Sequence, residues 1–197
     1  VALDEAVKAP DATPTLEALF LEHARGLSGA IRSIQGRNAD VKEVLQQAFL
    51  QALRWERRGR RAGDAVAWIF VLTMNVARDG LRRERRRARA LPVQEVDPME
   101  LAMKGADSAG PHPRLEHAEW LAAARSGIER LRDPEKEVFL LRVSAGRSFR
   151  AIAEMLAIPE GTAKTRMRTA LLFLRRQLRD FAPEPALRRL EDFHEHA

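Results

Sequence analysis

Apolar residues recur along the chain at intervals of three and four, the spacing that lines one face of an α-helix. Leu16, Leu19, Phe20, His23 and Leu27 begin the first such run, and Gly36 and Asn38 interrupt it. A second run extends from about Asp40 to Trp55, with Val41, Val44, Leu45, Ala48, Phe49 and Ala52 on one side. Asp64 stands where its carboxylate can cap a third helix starting at Ala65. From Ala65 to Ala77 that helix is apolar almost all round, interrupted only by Thr73 and Asn75, so its start is expected to lie buried against both earlier helices. Beyond Ala77 it turns basic.

From Leu91 to Pro113 the periodicity gives way to Pro, Gly, Ser and acids. Such a stretch reads as a flexible linker too long for an ordinary helix connection. Helical spacing then resumes. Leu121, Ile128 and Leu131 mark one helix, and Asp133-Pro134 signals the start of another, with Asp as cap and Pro at the first helical position. That helix carries Val138, Phe139 and Leu141 and should end near Gly146. Ser148 is placed to cap a short helix holding Phe149, Ile152, Ala153 and Leu156, which stops before Pro159. A long helix from about Glu160 to Arg179 follows, without an acidic residue between Gly161 and Arg179. Strand signals are nearly absent, so the expected fold is all-α, with two small helical domains on a flexible linker. The expected boundaries are a tail at 1–15, domains at 16–89 and 114–180, a linker at 90–113 and an extension at 181–197.

Charge changes the picture because it is not spread evenly. The 197 residues carry a net +6, but twelve Arg against four acids between Arg54 and Arg89 give that stretch alone a balance of +8. So local a concentration points to a polyanion such as nucleic acid. The absence of Cys removes disulfides, thiolate nucleophiles and Cys-based zinc sites, and suits a reducing cytosol. No apolar run reaches the roughly eighteen residues of a membrane span, and the first thirty residues lack signal-peptide order. A cytoplasmic protein without stable membrane insertion is expected.

The chemistry-bearing segment is Ser148 to Arg168: a short helix, a tight turn, then a helix with a polar and basic first face. This is the form of a helix-turn-helix, whose second helix enters the DNA major groove. Small Ala153 lets the two helices approach, and Ile158 can plug the space between them. A solvated basic helix closing a bundle is the plainer reading, and the short helix and turn argue against it. No cluster of carboxylates or histidines could hold a catalytic metal, and His194-x-His196 lacks an obvious third ligand. Neither an enzyme nor a cofactor is expected.

At these residues the chain resembles a known family. "SFRAIAEMLAIPEGTAKTRMRTALLFLRRQL" from Ser148, with "LRDPEKEVFLLR" ahead of it, looks like region four of the extracytoplasmic-function sigma factors of bacteria. "DVKEVLQQAFLQAL" from Asp40 and "AVAWIFVLTMNVARDGLRRERRR" from Ala65 are similar to two helices of region two. The resemblance spans roughly residues 16 to 180. It implies a factor that binds core RNA polymerase, melts and captures the minus-ten element, reads the minus-thirty-five element, and is restrained by an anti-sigma factor.

Residue by residue, the resemblance puts the polymerase contact on Asp40, Glu43, Gln46 and Phe49, an acidic rim around an apolar anchor; the residues alone read as an ordinary amphipathic helix. It puts minus-ten DNA on Asn75, Arg78, Arg82, Arg83, Arg85 and Arg86, with Arg60 and Arg61 in the loop where the family holds a flipped base. Asn75 reads almost as well as an internal packing group, and Trp68 reads as core. Base contacts in region four fall on Lys164, Thr165, Arg168 and Thr169, with Thr162 beside them and Arg166 and Arg147 nearer the backbone. Two departures stand out. Lys42 and Gln47 occupy positions where an acid is common, which implies weaker polymerase binding. Ala157 occupies the turn position where Gly is frequent, so the turn either avoids positive φ or bears strain on the order of 1 kcal/mol. The competing reading is a stand-alone helix-turn-helix regulator with a helical dimerisation domain, which leaves the +8 stretch of the first domain unexplained.

Overall fold

A computed structural model describes residues 14–59, 63–90 and 113–179, all helical apart from short connections. The helices are α1 (Leu16–Glu22), α2 (Ala24–Gln35), α3 (Val41–Glu56), α4 (Ala65–Ala90), α5 (Pro113–Arg130), α6 (Asp133–Val143), α7 (Phe149–Leu156) and α8 (Glu160–Leu178). No strand occurs among the described residues, and no helix is long and apolar enough to cross a membrane.

The first apolar run is two helices rather than one. His23, at φ −98° and ψ 8°, closes α1 and opens α2. Its ring lies edge-on to Phe70, 6.1 Å between centroids, so packing against α4 fixes the bend. Thr15 caps α1 through the Ala18 N–H, and Asp40 caps α3 through the Glu43 N–H at 2.9 Å. Asp64 caps α4 as expected, accepting from the Ala67 N–H at 2.9 Å. Leu27, Ile31, Ala48, Ala52, Ile69, Phe70 and Met74 are fully buried where α2, α3 and α4 meet. The apolar opening of α4 is therefore the centre of the first module, with Trp68 in its core.

In the second module α6 starts differently from expectation. Arg132 occupies the cap position and makes no side-chain cap bond; Asp133 is already helical, with Pro134 beside it. Arg132 instead pairs with the buried carboxylate of Glu135. Ser148 caps α7 through the Ala151 N–H at 3.2 Å. α7 ends at Ala157, which takes φ 51° and ψ 46°, the one positive φ of a non-glycine among the described residues. The Ile158 N–H then reaches back to the Ala153 carbonyl at 3.0 Å, as in an αL helix end. Of the two options the sequence leaves at Ala157, the strained one is realised.

The two modules are in direct contact. α2 packs on α5, and α4 packs on both α6 and α7. Gly26 sits at the junction: a Cβ there would fall 2.9 Å from Phe70 Cζ and 3.1 Å from the Ser144 carbonyl oxygen, so only glycine allows so close an approach. The buried ammonium of Lys136 on α6 crosses the boundary, donating to the Ser33 carbonyl at 3.0 Å as well as to Glu129 O at 2.9 Å.

Candidate nucleic-acid and polymerase interfaces

Helix α8 owes its two faces to its spacing. Ala163, Met167, Ala170, Leu171 and Leu174 are buried against α5, α6 and α7. Gly161, Lys164, Thr165, Arg168, Thr169 and Leu172 are thereby left on one exposed stripe along the helix. Thr162 and Arg166 flank it, half-buried. The Thr165 hydroxyl donates to the Gly161 carbonyl at 2.8 Å and the Thr169 hydroxyl to Thr165 O at 3.0 Å, which fixes both side chains along the helix. Lys164 pairs with Glu160 at 3.4 Å in the first turn. Arg168 projects freely into solvent. The stripe combines donors at the N-terminal half of a helix-turn-helix second helix, the arrangement that addresses guanine edges and phosphates.

Arg147 lies apart from that stripe. It follows Gly146 (φ 66°) in the connection between α6 and α7, where its Nε donates to Ala145 O at 2.8 Å. Its Nη1 reaches Asp64 of the other module, 3.3 Å from Oδ1. Asp64 thus serves as the α4 cap and as the partner of Arg147 at once.

On α4, Arg82, Arg83, Arg85, Arg86, Arg87 and Arg89 are all exposed, forming a basic rod beyond the buried part of the helix. Arg82 pairs with Asp79 at 3.3 Å, both well exposed, and such surface pairs add little stability. Asn75 is exposed rather than internal and accepts from Arg78 Nη1 at 3.3 Å. Arg78 does not share the open face of the other arginines. Its side chain is 13% exposed and is held by Glu137 of α6 at 3.2 Å. Arg60 and Arg61 lie outside the described residues.

On α3, the acidic rim is already engaged within the helix. Asp40 is the cap, and the Glu43 carboxylate accepts from Gln47 Nε2 at 2.9 Å. Phe49 is not an outward anchor: its ring packs edge-on against Phe20 of α1, 5.4 Å between centroids at 85°. The exposed stripe runs Glu43, Gln46, Leu50, Arg54 at helical spacing, and Leu50, 44% exposed, is its apolar centre. Sequence reasoning missed Leu50 because Phe49 and Leu50 are adjacent and both apolar. The signal was the preference of Val44, Ala48 and Ala52 for the core, which turns Leu50 outward.

A helix-turn-helix in one helical module and an arginine rod in another define a two-module DNA-binding protein. Comparison with known proteins makes the class specific. Residues 19–87 match "Sigma-70 region 2" and residues 121–174 match "Sigma-70, region 4". The RNA polymerase sigma factor CarQ of Myxococcus xanthus is 26% identical over 175 residues, covering 89% of this chain and 95% of CarQ. The ECF RNA polymerase sigma factor SigM of Mycobacterium tuberculosis is 28% identical over 162 residues, 82% of this chain and 76% of SigM. The probable RNA polymerase sigma factor RfaY of Xanthomonas campestris is 27% identical over 143 residues, 71% of this chain, but the match spans only 34% of RfaY. Among solved structures, CnrH in complex with the cytosolic domain of CnrY superposes with a TM-score of 0.56 at 25% identity, covering 85% of this chain and 89% of that one. The chain belongs to the sigma-70 family, as an RNA polymerase sigma factor of the extracytoplasmic-function class. It is an initiation factor, not an enzyme.

Proposed function

We propose that the first module docks on core polymerase through the outer stripe of α3 and captures the melted minus-ten strand along α4, while α8 reads the minus-thirty-five duplex. The observation that carries this reading is the separation of two cationic surfaces, the α8 stripe and the α4 rod, onto two modules of one chain. Melting needs no nucleophile; it needs cations along the backbone and a surface that receives unstacked bases. Arg82, Arg83, Arg85 and Arg86 supply the cations, and exposed Asn75 supplies an amide beside them. Leu50 within the Glu43, Gln46, Arg54 surround has the form of an apolar anchor with a polar rim. A stand-alone regulator is disfavoured because residues 19–87 match region two rather than a dimerisation domain.

The partners that follow are core RNA polymerase, promoter DNA and an anti-sigma factor, and the site of action is the cytoplasm. Support for the last partner comes from CnrH, solved with the cytosolic domain of CnrY, and from RpoE of Bartonella quintana, solved with the anti-sigma factor NepR. The reading is tested by mixing the protein with purified bacterial core polymerase and probing promoter-bearing DNA with permanganate. Thymines near the minus-ten position become reactive only when protein and core are both present. Reactivity independent of the protein would contradict it.

A further inference from the structure

The apolar core that α2, α5 and α6 share comes to the surface in an open groove of about 770 Å³. Phe139 and Leu140 form its floor, Ile128 lies partly buried beside them, and Val143 stands at the rim, 46% exposed. Four exposed arginines surround this floor: Arg25 and Arg32 on one face of α2, Arg37 just beyond that helix, and Arg125 on α5. Glu129 is the one acid in the lining. Among the described residues none of the four arginines is held in an ion pair. None belongs to the α4 rod or to the α8 stripe. Like charges gathered round an apolar floor repel one another, and an anionic chain laid between them relieves that repulsion. The groove therefore fits an acidic segment that also carries apolar side chains.

We propose that this groove is the docking site of the chain's own C-terminal segment, residues 181–197, which lie outside the described residues. The chemistry of the segment is the complement of the groove. α8 is strongly basic, but after Arg189 the sign reverses: Leu190 to Ala197 holds Glu191, Asp192 and Glu195 and no Lys or Arg. Leu187, Leu190 and Phe193 recur at the spacing of one helical side, with Glu191 and Glu195 flanking them. The segment also starts within reach. α8 ends against α5, where Arg130 Nη1 donates to Gln177 Oε1 at 3.3 Å, and the groove opens on another side of the same helix at Arg125 and Glu129. The stretch from Arg179 to Leu187 spans up to about 26 Å when extended, against about 10–12 Å for the diameter of a helix. Pro183 and Pro185 suit such an extended crossing of α5. Docking sets the three apolar side chains on Val143, Ile128 and Phe139 and the three carboxylates among the four guanidiniums. Apolar burial supplies most of the affinity, since exposed charge pairs alone are weak, and the charges select which segment is accepted. Because the occupant is tethered, its effective concentration at the groove is on the order of millimolar, and a free acidic chain has to displace it.

The test uses the full chain. A photoreactive benzoylphenylalanine in place of Val143 reports what covers the rim, and the same residue in place of Leu50, 44% exposed on α3, controls for random encounters. A mixture of isotopically light and heavy protein separates crosslinks within one chain from those between chains. Docking predicts that position 143 captures, within one chain, a peptide from residues 181–197, at a yield about tenfold or more above that of position 50. Arg32→Glu with Arg125→Glu, both exposed, should lower this yield by about three- to tenfold. Lys42→Glu with Arg150→Glu, an equal charge change at exposed positions away from the groove, should leave it unchanged. Far-UV circular dichroism checks that each variant keeps its helices, and raising the salt concentration should lower the yield of the parent without any substitution. Capture between chains overturns the proposal in favour of a second copy as the occupant. Capture of another part of the same chain, or no capture above the control, overturns it outright. Equal loss in both charge variants, or a yield indifferent to salt, overturns the charge complementarity on which it rests.

Discussion

Phe49 packs its ring edge-on against Phe20, 5.4 Å away, and in doing so turns the neighbouring Leu50 out to solvent. Two adjacent apolar residues on α3 therefore have different roles, one joining α1 to α3 and the other open to a partner. Phe49→Ala leaves a gap beside Phe20 and is expected to cost about 2–3 kcal/mol of stability, visible as a lowered Tm. Leu50→Ser should leave Tm almost unchanged and weaken binding to core polymerase by about tenfold or more, as expected of a central apolar anchor. Competition binding to core polymerase alongside thermal denaturation checks the pair. Loss of core binding in neither variant would remove α3 from the interface.

Ala157 carries a left-handed backbone at φ 51°, where a Cβ is unfavourable by about 1–2 kcal/mol. Glycine relieves that strain but loses more freedom on folding, by about 0.5–1 kcal/mol. Ala157→Gly should therefore raise stability by about 0.5–1 kcal/mol, with no change in the α8 stripe. Denaturant unfolding measures it; a midpoint at or below that of the parent would contradict the account of the turn.

Much of this architecture was legible in the sequence, for reasons particular residues make plain. Asp64 and Ser148 announced their helices because a capping carboxylate or hydroxyl acts on an N–H only three residues away. The α8 stripe was legible because a 3.6-residue period fixes which side of a helix Ala163, Met167 and Ala170 bury. The bend at His23 was not, since the contact that sets it is with Phe70, far along the chain, and the apolar spacing from Leu16 to Leu27 runs through it. The Arg147–Asp64 pair joins positions 83 apart. No local pattern encodes such a partner, and for the same reason Arg78 read as one more residue of the α4 rod.

On the proposed reading, the exposed stripe of α8 carries specificity and its flank carries general affinity. Arg168→Ala should cost about 1–3 kcal/mol on the preferred minus-thirty-five sequence and relax preference at one position. Arg166→Ala, on the flank, should weaken all sequences about equally and lower the salt dependence of binding. Binding of the holoenzyme to a set of single-base minus-thirty-five variants distinguishes the two. Equal losses across that set for Arg168→Ala would place Arg168 on the backbone.

Burial lowers the pKa of Lys136 from its ordinary value of 10.5; Arg78 nearby acts in the same direction, while Asp133 and Glu129 partly oppose the shift. Between the lowered value and 10.5 the unfolded chain holds a proton that the folded chain has released. The unfolded state binds more protons there, so stability attributable to this group rises with pH over that alkaline window and is smallest below it. Lys136→Met removes the titration. The Tm of the parent relative to Lys136→Met should climb as pH is raised towards 10.5; a constant difference would show that Lys136 is not desolvated.

The most direct test of the central claim is transcription from a library of genomic fragments by purified bacterial core polymerase, with and without this protein. The account predicts new start sites that appear only with the protein and share two upstream elements at a fixed spacing. It further predicts that Arg168→Ala disturbs the upstream element and Asn75→Ala the downstream one. No core binding and no new starts would contradict it, leaving a two-module DNA-binding protein that regulates without recruiting polymerase.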